Sequence, residues 1–142
     1  MKKLADHFKD YFQEVSMPVQ SEEFSKDEFE NFTVFNVFYE LKKGMELFIT
    51  WEVHENYVNI AISNFVTIDS DRLIEYLELC NEINEKSRYA TFYVEGDSVK
   101  LKYTLFLLDF DNMENTTQHA IEYVTKNIVI LAEQEVGNFQ NL

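Results

Sequence analysis

The chain has 142 residues, enough for one ordinary domain that closes its core without a metal or disulfide, and 46% hydrophobic content argues for a globular core and against a disordered chain. Twelve basic against 26 acidic residues give a net charge of −14, which repels phosphate backbones and anionic bilayers and argues against a nucleic-acid or membrane partner. The single cysteine, Cys80, excludes an internal disulfide, and no stretch reaches the ~20 apolar residues of a membrane span.

The opening MKKLADHFKDYF has a basic tip with no apolar run behind it. It does not read as a signal peptide, so a cytoplasmic location is expected. Leu4, Phe8, Tyr11, Phe12 and Val15 fall on one helical face over residues 2–15, and Ser16 and Pro18 end that helix. A helix with so aromatic a face must dock on a sheet or on a partner. Residues 20–31 (QSEEFSKDEFEN) form an acidic connector with room for a short edge strand.

Three strands follow. Thr33–Leu41 ends at a Lys42-Lys43-Gly44 turn. Glu46–Val53 alternates cleanly, with Leu47, Ile49, Trp51 and Val53 on one face. Tyr57–Val66 puts Val58, Ile60 and Ile62 together. The short turns between them require an antiparallel meander.

A helix over Asp69 to about Lys86 is next, with Asp69 or Ser70 able to cap it and Glu75 near its positive end. Leu73, Leu77, Cys80 and Asn84 form one face of it, while Tyr76, Leu79 and Ile83 lie around from that face. The apolar sector is wider than one sheet contact needs. Either the helix is sandwiched or Tyr76, Leu79 and Ile83 form an interface. Asn81 and Asn84 lie on the inner half, where an amide needs partners. The helix end and the strand at 89–92 would supply them. A hairpin follows, about Tyr89–Glu95 and Ser98–Leu107, turning at Gly96-Asp97. Lys100 and Lys102 mark its wet face, and Phe106 and Leu108 on the same face imply cover there. A polar loop, Asp109–Asn115, precedes the last helix, about Thr116–Glu135, whose seam is Ile121, Val124, Ile128 and Leu131. Gly137 marks its stop and Asn138–Leu142 a loose tail.

Chemistry is harder to find. His7, His54 and His119 are far apart in sequence, none at metal-ligand spacing from Cys80, and they read as surface histidines. Cys80 reads as a small core residue. Asp109–Glu114 superficially matches a calcium loop, but Met113, Glu114 and Ala120 stand where a ligand, a glycine and a bidentate glutamate are needed. No glycine-rich phosphate cradle or nucleophile elbow is present. No catalytic residue, metal or cofactor is assigned.

The segments LIEYLELCNEIN (Leu73–Asn84), RYATFYV (Arg88–Val94) and VKLKYTLFL (Val99–Leu107) carry a resemblance. A helix ending in an Asn-containing segment, then an aromatic strand and a second strand, resembles the YbjN-like family, whose fold is that of the type III secretion chaperones. Asn81, Asn84 and Phe92-Tyr93-Val94 occupy those places, and the resemblance covers about residues 30–135. It implies a small acidic bacterial α+β protein without catalytic residues, often dimeric, with regulatory or stress roles; chaperones of this fold bind an extended client segment.

The expected architecture is therefore one α+β domain, with a five-stranded antiparallel sheet and helices packed on it, in the order α-β-β-β-α-β-β-α. The expected function is a non-enzymatic interaction module, a homodimer that binds a protein or peptide partner, with Tyr76, Leu79 and Ile83 at the interface. The alternative is a small-molecule or lipid-binding domain with a pocket between sheet and helices lined by Phe38, Trp51 and Tyr103. A third reading is a hydrolase built on converging carboxylates.

Overall fold

A computed structural model describes residues 3–15, 19–25, 31–40, 46–87, 90–106 and 113–142. The helix stop at Ser16 and Pro18, the Lys42-Lys43-Gly44 turn, Tyr89, Leu107, Leu108 and the loop through Asn112 lie outside the described residues.

Helix α1 (Leu4–Glu14) buries Leu4, Phe8 and Phe12, as its periodicity requires, while Val15 beyond its end is exposed. The strands are β1 (Val19–Ser25), β2 (Asn31–Glu40), β3 (Glu46–Val53), β4 (Tyr57–Thr67), β5 (Thr91–Glu95) and β6 (Ser98–Phe106). They form one antiparallel sheet of six strands in the order β1-β2-β3-β4-β6-β5. The count is six, not five. The acidic stretch expected to be a connector supplies β1, which pairs with β2 from Val19↔Val37 to Ser25↔Asn31. Charges suit such an edge strand because they discourage further pairing, and the same charges hide its strand signal.

Between β4 and β5 a single 3-10 turn, Ser70–Arg72, leads into α2 (Leu73–Lys86). Asp69 caps the turn, its Oδ1 accepting the Asp71 N–H at 3.1 Å. At the β5–β6 turn Gly96 has φ of +63°, a left-handed conformation that glycine adopts without strain. Helix α3 (Met113–Gln140) is longer at both ends than its seam suggested. Gly137 does not stop it, because Phe139 is wholly buried and holds the last turns down.

All three helices contribute to one core against one face of the sheet. Two aromatic nests organise it. Beneath α1, Phe8 and Phe12 meet Phe35 and Trp51, with Phe8 and Trp51 centroids 5.8 Å apart and Phe12 and Phe35 5.5 Å apart. Beneath α2 and α3, Phe139 stacks on Phe92 at 5.6 Å and Tyr76 at 6.5 Å and meets Phe65 edge-on at 5.9 Å. Phe65 reaches this nest because the β4–β6 register slips between Ile62 and Val66. Alternation from Val58, Ile60 and Ile62 would send residue 65 to the other face; the irregularity turns it inward.

Candidate interaction face

Helix α2 is where expectation and structure differ most. Tyr76, Cys80 and Ile83 face the core, and of the expected Leu73–Leu77–Cys80–Asn84 stripe Leu73 and Leu77 are exposed. Of the residues expected at an interface, Tyr76 and Ile83 are each only 6% exposed and Leu79 is half-buried against the core. The aliphatic side chains left outside are Leu73, Ile74 and Leu77, exposed by 41%, 71% and 42%. The apolar sector is wider than its core contact needs, and its spare part lies on the Leu73, Ile74 and Leu77 side of the helix rather than the Leu79 and Ile83 side. Packing of Tyr76 on Phe139, with Cys80 one turn further on in the same core, sets the rotation of α2, which helical spacing alone leaves undetermined.

Asn84 fixes how α2 meets the sheet. Its Nδ2 donates to the Phe92 carbonyl at 2.8 Å, and its Oδ1 accepts the Phe92 N–H at 2.7 Å. In a two-residue hairpin closed by Glu95↔Ser98, the backbone groups of Phe92 point away from β6. One amide therefore completes both outward groups of an edge residue, the partnership anticipated for it. Asn81, expected beside it, is exposed. Around the apolar trio the helix surface is acidic. From Asp69 to Lys86 there are six carboxylates and two cations, and Asp71, Glu75, Glu78, Glu82 and Glu85 are all exposed.

The sheet face away from the helices is a second open surface. An aromatic row crosses it from Phe32 to His54 (4.9 Å), Tyr57 (4.1 Å) and Phe106 (6.2 Å). Next to it, Asn59 accepts from Thr104 Oγ1 at 2.8 Å and Glu52 Oε1 accepts from His54 Nε2 and Asn59 Nδ2. Beyond a Thr50–Asn36 hydrogen bond of 2.9 Å, Phe38 meets Phe48 edge-on at 4.7 Å. Phe38 is 52% and Phe106 65% exposed. The cover expected over Phe106 is absent among the described residues. His54, expected at the surface, is buried as the central ring of its row. Lys100 pairs with Glu95 at 3.1 Å and Lys102 lies 4.8 Å over the Tyr93 ring, so the wet end of this face is as expected.

The expected pocket of Phe38, Trp51 and Tyr103 does not form. Trp51 is sealed in the core, and Phe38, one position out of phase with Phe35 and Val37, faces the opposite side of the sheet. An open groove of about 250 Å³ lies between α1, β2 and α3. Tyr11, Tyr39, Ile121, Glu122, Thr125 and Lys126 line it. Tyr11 donates to Glu122 at 3.4 Å, and Tyr39 shares a hydrogen bond with Thr125 at 3.4 Å. Burial raises both phenols above the ordinary tyrosine value, and at Tyr11 the Glu122 carboxylate adds to it. Open to solvent and below the size of ordinary ligand pockets, the groove would leave a bound small molecule largely wet.

Burial pushes the Cys80 thiol up to about 11, which removes the thiolate that nucleophilic or metal chemistry needs. Among the described residues no three His, Cys, Asp or Glu side chains converge as metal ligands, and no helix is long and apolar enough to cross a membrane. The groove holds one carboxylate, Glu122, where hydrolysis by paired carboxylates needs two.

Comparison with known proteins agrees with the topology. The family model for YbjN, described as "Putative bacterial sensory transduction regulator", matches residues 42–128. The chain is similar in structure to YbjN from E. coli, whose crystal structure is titled that of "a putative transcription regulator". The TM-score is 0.59 at 8% identity, covering 94% of this chain and 92% of that one. At that identity the likeness is one of fold. No curated protein matches the sequence. The matched segment runs from residue 42, just before β3, into α3 and takes in the whole α2–β5–β6 unit with its Asn84 clasp, and on that match the chain belongs to the YbjN family.

Proposed function

We propose that this protein is a regulator that works by binding a polypeptide rather than by catalysis. The observation that carries the reading is the outer side of α2. A helix already anchored by Tyr76, Cys80 and Ile83 leaves Leu73, Ile74 and Leu77 in water side by side. Contiguous exposed aliphatics on a rigid element support an interaction site, and the family's description as a regulator agrees with it. Leu79, at the margin of the buried sector, completes the support of that face, while Tyr76 and Ile83 act from beneath by holding the helix in place. A photo-crosslinking amino acid at position 74 should give a discrete polypeptide adduct in cells. The same probe at Asp97, on the hairpin tip, should not. Equal or absent labelling at both positions rejects the reading.

Pairing of two copies is a second reading, and a different surface favours it. Phe38 and Phe106 stand exposed at opposite ends of the uncovered sheet face, and a two-fold dimer is the commonest way to cover such a face. Sedimentation equilibrium of the wild-type chain and of a Phe38→Ser/Phe106→Ser variant tests it. The expected result is a dimer that the variant dissociates. A wild-type monomer at tens of micromolar rejects the dimer and leaves the α2 reading intact.

A further inference from the structure

The chemistry around Leu73, Ile74 and Leu77 restricts what can cover them. Ile74 and Leu77 are followed along the helix surface by Glu78, Asn81, Glu82 and Glu85, with Asp71 and Glu75 completing the border. The cations nearby are Arg72 at one end and Lys86 at the other, and Lys86 already lies 3.7 Å from Glu82. A second copy would bring this border against itself, carboxylate to carboxylate, between two chains that each carry −14. An anionic bilayer is repelled for the same reason. A strand laid between α2 and the sheet finds no ladder to join at Phe92, because Asn84 occupies both outward backbone groups there. From Leu73 to Glu85 the surface runs about 18 Å, the length of some three helical turns.

We propose that the outer side of α2 docks a basic amphipathic helix of a partner protein. Three or four aliphatic side chains at i, i+3, i+4 and i+7 sit on Leu73, Ile74 and Leu77, and flanking Lys or Arg side chains face Glu78, Glu82 and Glu85. This rests on the polypeptide-binding reading above and adds the chemistry of the partner. The aliphatic trio supplies affinity that depends on register. The acidic border speeds encounter and sets the salt dependence.

The test is fluorescence anisotropy with the whole chain and a labelled 14-residue synthetic peptide carrying leucines at those positions and lysines beside them. Two further peptides serve as controls, one of scrambled order and one with every lysine replaced by glutamate. The patterned basic peptide should bind about tenfold or more tightly than the scramble, and the glutamate peptide should not bind. Ile74→Ser/Leu77→Ser should lose about tenfold for the patterned peptide only. Glu78→Gln/Glu82→Gln should weaken binding and flatten its salt dependence. Both variants alter exposed positions, and unchanged circular dichroism and urea midpoint establish that they fold. Equal binding of scrambled and patterned peptides, or no effect of the serine pair, overturns the proposal in favour of a general electrostatic field. A wild-type dimer that Ile74→Ser/Leu77→Ser dissociates overturns it in favour of a second copy. If no peptide binds while the position-74 crosslink persists, the proposed partner chemistry falls and polypeptide binding stands; if the crosslink is also absent, both fall.

Discussion

Asn84 ties a helix to the edge of a sheet through one side chain. Each of its two hydrogen bonds satisfies a Phe92 backbone group that the hairpin leaves unpaired. Asn84→Ala should cost about 1–2 kcal/mol, since water can reach only part of what is lost. Urea denaturation checks the magnitude, and faster hydrogen exchange at the Phe92 amide localises it. Cys80 makes a different prediction. Its folded-state value is raised to about 11 from an ordinary 9.0, so the unfolded chain releases this proton at a lower pH than the folded one. Its contribution is therefore complete below pH 9 and is lost as pH rises through 11. The raised Tyr11 and Tyr39 phenols act in the same direction, above pH 10. Urea midpoints followed from pH 8 to 11 should fall, and Cys80→Ala should flatten the first part of that fall. A thiol reagent at pH 8 should modify Cys80 only after denaturant is added. Residue by residue, Asn84 and Cys80 were legible because an amide or thiol on a helix's inner side has few physical options. His54 was not. Its burial comes from Phe32 and Tyr57, a neighbour across the sheet and one beyond the turn, and no sequence spacing announces a ring on either side.

At the scale of elements, periodicity located every helix and every strand but one. It failed where a neighbour decides. Residues 19–25 become a strand because β2 offers them an edge, and Phe65 turns inward because β6 slips against β4. The rotation of α2 follows from the size of Tyr76 and Phe139, so the exposed aliphatics were read on the wrong side of the helix. Helix α1 illustrates the opposite case. Its aromatic face demanded a dock, and the dock is the Phe35 and Trp51 pair. Phe8→Ala should destabilise the chain by about 3–5 kcal/mol, because Phe8 is wholly buried between α1 and β3. The emission of Trp51, the only tryptophan in the chain, should shift to the red as α1 loosens. An emission maximum that stays fixed while stability falls would mean that α1 remains docked.

The whole molecule places its helices on one side of a six-stranded sheet and carries a net charge of −14. Self-repulsion at −14 opposes compactness and is screened by salt. Raising sodium chloride from 10 to 200 mM should therefore raise the melting temperature, by about 2–5 °C for a chain of this size. A melting temperature indifferent to salt would show that the carboxylates are too dispersed to repel one another. This much followed from composition. Which face stays uncovered did not, because Phe38 and Phe106 resemble core residues until the helices are seen to lie on the other side.

Phe139 packs against Phe65 and Phe92 and ties the last turns of α3 to strands made long before it. On the ribosome the chain emerges from its amino end, so α1 can cover Phe35 and Trp51 early, but the part of the sheet beneath α3, around Phe65 and Phe92, stays bare until residue 139 leaves the exit tunnel. Domains that cannot close until late in translation expose aggregation-prone surface for that interval. Nascent chains of this protein should therefore engage ribosome-associated holdases from the emergence of β4 onward and shed them only after the end of α3 has cleared the exit tunnel.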